Sequence, residues 1–236
     1  MDINILLQTA TKYHLSIIDF KHLIKKYNVV RNLRLTKEET NIVNINYKTK
    51  IKIEQSNLKL IKNPQGLIDR AISLLSSNSY INRVLALATL TGRRVAEIGC
   101  TAEFIPFNNN IVIFKGQLKT KGKECVDYKI PLLTTIKPII TCLKTMRLDK
   151  PEYINNPDKF HSNCSKELSL KVKKYFSEFV EGVITAKDLR AIYATIACAK
   201  YKQDSRKTAQ CYYSEILGHS ENDLNTCNSY FDFYLE

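Results

Sequence analysis

The spacing of apolar residues near the start of the chain predicts its first elements. Residues 16–27, SIIDFKHLIKKY, carry apolar side chains at helical intervals and predict a helix. Residues 41–60 alternate apolar with polar or basic side chains, which favours a strand or ribbon with one lysine-bearing face. The sequence NPQG at residues 63–66 is a turn cluster and predicts a linker. We therefore expect a basic N-terminal segment or small domain, residues 1–64, followed by a second domain, residues 65–236.

The second domain alternates helical patterns with one group of short β-type runs. Residues 67–75 and 80–90 predict two helices, and the second is so nearly apolar that we expect it to be buried. Antiparallel strands are predicted at 103–107, 110–119 and 125–132, and further helices at 135–146, 165–182, 186–201 and 205–217. The predicted fold class is mainly α with a small antiparallel β-meander.

Composition excludes several classes of protein. The chain has 236 residues, of which 44% are apolar, enough for a sizeable core. No run approaches the roughly 20 apolar residues needed to cross a bilayer, and the N-terminus lacks a secretory pattern. Seven cysteines are scattered without a CxxC pair, and four histidines lie at no ligand spacing. We expect a cytoplasmic protein with no metal site.

Charge indicates the class of partner. The formal net charge is +13, which attracts polyanions such as DNA. A solvated lysine-rich surface or an anionic membrane would also fit the charge alone. RNA binding would require a signature of paired exposed aromatic residues on a strand, which the sequence lacks. Nucleic acid is therefore the leading class of partner, and the basic N-terminal segment is expected to bind it.

Two arginines at the end of the buried helix are the first candidates for chemistry on DNA. Cutting DNA without a metal requires a nucleophile, cations around the phosphate oxygens and an acid for the leaving 5′-oxygen. Arginine suits the second task because its planar fork binds phosphate oxygens and keeps its proton. Arg93 and Arg94 follow Thr91-Gly92. Taken alone, they fit better as caps of a helix C-terminus, where cations are favourable.

Further candidates follow in order along the chain. Lys119, with Lys121 as a competitor, lies on the predicted hairpin, from which a lysine can donate a proton to a leaving oxygen. Arg190 lies on the predicted helix 186–201, where a solvated polar face is the alternative. Near the end of the chain, His219 follows Leu217-Gly218 and precedes Tyr230, with Tyr234 as the second candidate nucleophile.

These motifs, in this order, resemble those of the tyrosine recombinases. The sequence TGRRVAE resembles the family's first arginine box and implies that Arg94 is catalytic and Glu97 supports it. KDLRAIYAT resembles the second box around Arg190, but Lys187 stands where a histidine is usual and Ala191 replaces the second histidine. The resemblance places the hairpin lysine at Lys119. It implies that His219 binds a phosphate oxygen and that Tyr230 attacks phosphorus to leave a 3′-phosphotyrosine.

Within that superfamily the sequence is most similar to the telomere resolvases, or protelomerases. TGRR, the FKGQLKT hairpin, the KxLRAIYA box and the long interval from His219 to Tyr230 carry this resemblance. It implies covalently closed hairpin DNA ends, a homodimer on a palindromic or inverted-repeat site, and no cofactor, metal or membrane. An integrase that exchanges strands between two sites, and an inactive DNA-binding protein of the same fold, are the alternatives.

Overall fold

The computed structural model of the chain describes residues 37–118, 126–202, 206–219 and 230–236. The helices are α1 (Lys37–Ser56), α2 (Pro64–Leu75), α3 (Tyr80–Thr91), α4 (Val95–Cys100), α5 (Ile136–Asp149), α6 (Pro157–Phe176), α7 (Asp188–Tyr201) and α8 (Ala209–Leu217). The strands are β1 (Lys59–Leu60), β2 (Glu103–Pro106), β3 (Ile111–Lys115), β4 (Tyr128–Pro131) and β5 (Phe233–Tyr234). Short 3-10 turns at Pro151–Tyr153 and Ser177–Phe179 flank α6. The predicted fold class is confirmed.

Helix α1 corrects the prediction of a strand or ribbon over residues 41–60. The backbone is helical through Ser56, and only Lys59–Leu60 forms a strand. A helix satisfies its backbone hydrogen bonds locally, whereas a ribbon needs a second strand to pair with. Ile42, Ile45 and Tyr47 on α1 are exposed. The predicted helix at 16–27 lies outside the described residues.

The chain divides into two units between Ile53 and Glu54. Residues 57–64 belong to the larger unit, where β1 pairs in parallel with β5, bringing Leu60 beside Tyr234. The predicted linker at 63–66 is instead the start of α2, because the Asn63 side chain accepts a hydrogen bond of 2.8 Å from the Gly66 amide and Pro64 follows the cap. The domain boundary at residue 64 stays a prediction.

Helix α3 is the centre of the larger unit. Every residue from Ile81 to Thr91 is buried, as its apolar sequence predicts, and α2, α5, α6 and α7 pack around it. It ends at Gly92, whose φ of +67° is left-handed. A Cβ at this position would lie 2.0 Å from the Tyr193 ring of α7. Glycine therefore lets α7 approach the end of α3 closely.

The three-stranded sheet is the predicted antiparallel meander, in the order β2-β3-β4. Phe104 of β2 lies opposite Phe114 of β3, and both rings are buried. Val112 of β3 lies opposite Ile130 of β4, also buried. One face of the sheet thus belongs to the core, and β4 packs against α8, which leads into His219.

Candidate active site

Arg94 and Glu97 form the first part of the site, at the start of α4. The Arg94 amide donates to Glu97 Oε2 at 2.9 Å, and Arg94 Nη1 donates to Glu97 Oε1 at 2.6 Å. The Glu97 side chain is fully buried, whereas the Arg94 side chain keeps 23% of its surface exposed. Glu97 therefore fixes the backbone and the side chain of an arginine that still reaches solvent.

Arg93 has the opposite environment. Its side chain is buried, and Nη2 donates to the Ile216 carbonyl at 2.6 Å while Nη1 donates to the Tyr128 hydroxyl. The guanidinium lies 4.9 Å from the centre of the Phe114 ring. Burial lowers the pKa of Arg93 below its ordinary value. This arginine is committed to contacts inside the protein.

Arg190 joins three segments of the site. Its Nη1 donates to the Gly92 carbonyl at 2.7 Å and its Nη2 to the Leu217 carbonyl at 2.5 Å. Its guanidinium lies 5.6 Å from the centre of the Tyr230 ring. Among the described residues, Nε of Arg190 is buried without a hydrogen-bond partner. The second arginine box is thus held against the end of α3, the end of α8 and Tyr230.

His219 and Tyr230 lie side by side. Their ring centres are 5.4 Å apart with the planes at 44°. The His219 amide donates to the Ser214 carbonyl at 2.9 Å, which holds the turn after α8. Tyr230 is 8% exposed, and the next residue, Phe231, stacks on Tyr213 at 4.5 Å. The structure therefore brings His219, Tyr230 and Arg190 together.

Tyr234, the second candidate nucleophile, lies elsewhere. It belongs to β5, is 39% exposed, and its carbonyl accepts from the Ile61 amide at 3.0 Å. No contact between Tyr234 and the site arginines is found among the described residues. Its local role is in strand pairing.

The charge of Glu97 is stabilised by the arginines around it. Burial raises the pKa of this carboxyl, but the positive charges of Arg190, Arg94 and Arg93 outweigh that effect and hold the pKa below its ordinary value. In the same way, burial lowers the pKa of Arg190, while Tyr230 and Glu97 raise it above its ordinary value. The site is a buried network of opposite charges.

Of the three lysines predicted for the site, the structure describes one, Lys187. Lys119 and Lys121 lie outside the described residues. Leu118, the residue before Lys119, donates its amide to Glu97 Oε1 at 3.4 Å. Lys187 is exposed at the start of α7, and the described part of the chain gives its side chain no hydrogen bond or ion pair. The structure therefore does not bring Lys187 into the cluster of Arg190, His219 and Tyr230.

Sequence reasoning missed the internal contacts of Arg93, which it considered only beside Arg94, as a phosphate-binding cation or a helix cap. It did not single out Gln117 or Tyr128. Gln117 Nε2 donates to the Gly218 carbonyl at 3.1 Å, and the Tyr128 hydroxyl donates to the Leu217 carbonyl at 3.4 Å. Their partners lie about 90 to 100 positions along the chain. The only signal in the sequence is that both residues lie in the predicted strands 110–119 and 125–132, on either side of the lysine-rich turn.

Among the described residues, no group of three or more His, Cys, Asp or Glu side chains is suited to bind a metal ion. None of the helices described is both long and apolar enough to span a membrane.

Comparison with known families decides the relationship of the chain. Residues 57–233 match the family model of the telomere resolvase ResT/TelK catalytic domain. The chain belongs to this telomere resolvase family. The resemblance inferred from its motifs is thereby confirmed. The match covers every candidate site residue except Tyr234.

Telomere resolvases of two phages are similar to the chain. The protelomerase of Yersinia phage PY54 is 29% identical over 156 residues, which are 58% of this chain and 25% of the relative. The protelomerase of Escherichia phage N15 is 29% identical over 217 residues, which are 85% of this chain and 33% of the relative. The aligned part thus amounts to a third or less of each of these proteins.

Solved telomere resolvases share the fold. A protelomerase TelA covalently complexed with substrate DNA superimposes with a TM-score of 0.82 at 24% identity, covering 89% of this chain and 70% of that one. A protelomerase TelK complexed with substrate DNA gives a TM-score of 0.73 at 22% identity, covering 88% and 44%. These likenesses establish the fold of the chain.

Proposed function

We propose that the chain breaks and rejoins DNA through a 3′-phosphotyrosine on Tyr230 and reseals each end as a covalently closed hairpin. One observation carries this proposal: the Arg190 guanidinium and the His219 ring both face Tyr230, at 5.6 Å and 5.4 Å between centres. Family membership adds to it, since the solved relatives include one joined covalently to its substrate DNA.

The phosphate is held by cations fixed in advance. Arg94 is partly exposed and aligned by Glu97, and the Arg190 guanidinium lies beside Tyr230, where it donates to a phosphate oxygen. His219 donates a further hydrogen bond, and Lys187, exposed at the start of α7, adds a positive charge to the DNA-facing side. Donors that do not reorganise stabilise the charge that develops in the transition state.

The cleavage step exchanges one phosphodiester for another. The Tyr230 oxygen attacks phosphorus and passes its proton to water, the bond from phosphorus to the 5′-oxygen breaks, and that oxygen takes a proton from Lys119. Leu118, which is hydrogen-bonded to Glu97, supports a position of Lys119 near the site. A 5′-hydroxyl then attacks the phosphotyrosine and restores Tyr230. The number of phosphoester bonds is unchanged, so the reaction uses no ATP.

The substrate is a double-stranded DNA with a palindromic or inverted-repeat site, bound by two copies of the chain. A net charge of +13 favours binding to the DNA backbone. Two identical cuts related by a twofold axis match a twofold-symmetric pair of subunits. We accordingly expect the protein to act in the compartment that holds its DNA.

The test uses linear duplexes in which every molecule carries a different inverted repeat. The protein is mixed with this pool, the reaction is stopped with detergent, and DNA linked to protein is collected and sequenced. The selected duplex is then incubated with wild-type protein and with Tyr230→Phe. We expect wild type to form the adduct and strands that snap back after denaturation, and Tyr230→Phe to bind DNA without forming either.

Tyr234→Phe is the matched control, because it removes the same atom from a neighbouring, exposed tyrosine. It should react like wild type. An adduct with Tyr230→Phe would show that another residue is the nucleophile. Products that join two duplexes would favour an integrase, and salt-sensitive binding without any adduct would favour an inactive DNA-binding protein.

A further inference from the structure

The last carbonyls of α8 are bound by side chains from other parts of the fold. Helix ends leave such carbonyls without intrahelical partners. Here Arg93 donates to Ile216, Arg190 and Tyr128 donate to Leu217, and Gln117 donates to Gly218. The next residue is His219. The turn that carries this histidine is therefore held from several sides.

Gln117 differs from the other donors in its place in the chain. It lies two residues after the end of β3, and its side-chain amide donates to the Gly218 carbonyl. The strand end that carries it is fixed by two hydrogen bonds, one from Thr101 Oγ1 to the Gly116 carbonyl at 2.5 Å and one from the Leu118 amide to Glu97 Oε1 at 3.4 Å. Gln117 thus joins a rigid strand end to the peptide next to His219.

The Gly218 peptide determines where the histidine points. Gly218 has a left-handed φ of +67°, and a Cβ there would lie 2.2 Å from the Tyr128 ring. The N–H of the Gly218–His219 peptide donates to the Ser214 carbonyl at 2.9 Å. Gln117 donates to the carbonyl of the same peptide, so the two hydrogen bonds together fix the plane of the peptide that leads into His219.

We propose that Gln117 is a positioning residue for His219: it orients the Gly218–His219 peptide so that the imidazole faces Tyr230. The inference rests on the proposed function only for its catalytic consequence. The orientation of the ring is a property of the free protein and can be measured without DNA.

The first experiment follows the imidazole of His219 by NMR in wild type, Gln117→Leu and Gln117→Glu. Both substitutions keep the size of the side chain and remove its donor. We expect the His219 ring signals, assigned with His219→Ala, to shift or broaden in both variants while the thermal melt stays near that of wild type. Gln65→Leu is the matched control, because Gln65 donates to Asp69 in an exposed hydrogen bond on α2.

The second experiment measures adduct formation in a single turnover at saturating DNA. Losing one neutral hydrogen bond should slow Gln117→Leu by about five- to tenfold. Because the effect passes through His219, the double variant Gln117→Leu/His219→Ala should be no slower than His219→Ala alone. A 5′-bridging sulfur, whose leaving group needs no acid, should leave the defect of Gln117→Leu in place.

Four results would overturn the inference: unchanged His219 signals, wild-type rates in Gln117→Leu, additive losses in the double variant, or recovery with the 5′-sulfur substrate. The last would assign Gln117 to the leaving-group acid instead. If wild type forms no adduct, the proposed function fails, and the NMR comparison still decides whether Gln117 orients His219.

Discussion

Arg93 and Arg94 are neighbours that serve different purposes. Arg93 is 1% exposed and binds the Thr91 and Ile216 carbonyls, whereas Arg94 faces solvent over the buried Glu97. The backbone between them turns from the end of α3 into α4, which separates their side chains. One arginine stabilises the site from inside, and the other is available to a ligand.

This division predicts different effects of the same substitution. Arg93→Met should lower the free energy of unfolding by about 3 kcal/mol or more, because it leaves several buried acceptors without a donor. Arg94→Met should cost about 1 kcal/mol, since Glu97 keeps hydrogen bonds from the backbone of Arg94 and Leu118. Urea unfolding measures both. Equal losses would contradict the assignment, and only Arg94→Met should lose adduct formation while remaining folded.

Glu97 predicts a dependence of stability on pH. Its folded pKa lies below the ordinary value of 4.5, so its charge stabilises the folded state above pH 4.5. This contribution is lost as the pH falls further, through the folded pKa. The difference in unfolding free energy between wild type and Glu97→Gln should therefore be about 3 kcal/mol near pH 7 and shrink towards pH 3. A difference that stays constant with pH would refute the assignment.

At the scale of elements, the short strand β5 determines where Tyr230 lies. Phe233 of β5 is 4% exposed, and Asp232 and Tyr234 accept from the Lys59 and Ile61 amides. These contacts begin two residues after Tyr230, the proposed nucleophile. The pairing of β1 with β5 therefore limits how far Tyr230 can leave its own site.

Removal of the Phe233 ring tests this role. Phe233→Ala should lower stability by about 3 kcal/mol and should also slow adduct formation under conditions where the variant is fully folded, because β5 loses its buried anchor. Phe107→Ala, at a ring that is 52% exposed, is the control and should change neither quantity much. Wild-type rates in folded Phe233→Ala would show that β5 does not hold Tyr230 in place.

The sequence predicts the elements whose signals are local. The apolar run predicts the buried helix α3, and Thr91-Gly92 predicts its end. The alternation of apolar and polar residues predicts the hairpin. The prediction of a strand over residues 41–60 was wrong, because alternating apolar and polar residues form a strand only when a second strand pairs with them. The pairing of Lys59–Leu60 with Phe233–Tyr234 joins two-residue strands from opposite ends of the unit, and no local pattern indicates it. The same is true of the contact from Gln117 to Gly218.

At the scale of the whole molecule, charge determines the conditions for binding. The chain has 36 basic and 23 acidic residues. A net positive charge of 13 therefore remains even if every acidic residue, Glu97 included, forms an ion pair. If about six phosphates are neutralised, the affinity for duplex DNA should fall about a thousandfold between 50 and 200 mM salt. A titration at several salt concentrations measures the slope, and the melting temperature in the same buffers is the control. A change below tenfold would argue against binding through the DNA backbone.

The parallel pairing of β1 with β5 also offers a way to observe the segment of Tyr230 from a distance. The Lys59 and Ile61 amides are protected by carbonyls of Asp232 and Tyr234, so each opening of the tyrosine segment exposes them to water. Their hydrogen exchange with solvent reports the lifetime of the docked segment. Two amides far from Tyr230 in sequence thus serve as reporters of how often the segment of this tyrosine leaves its place.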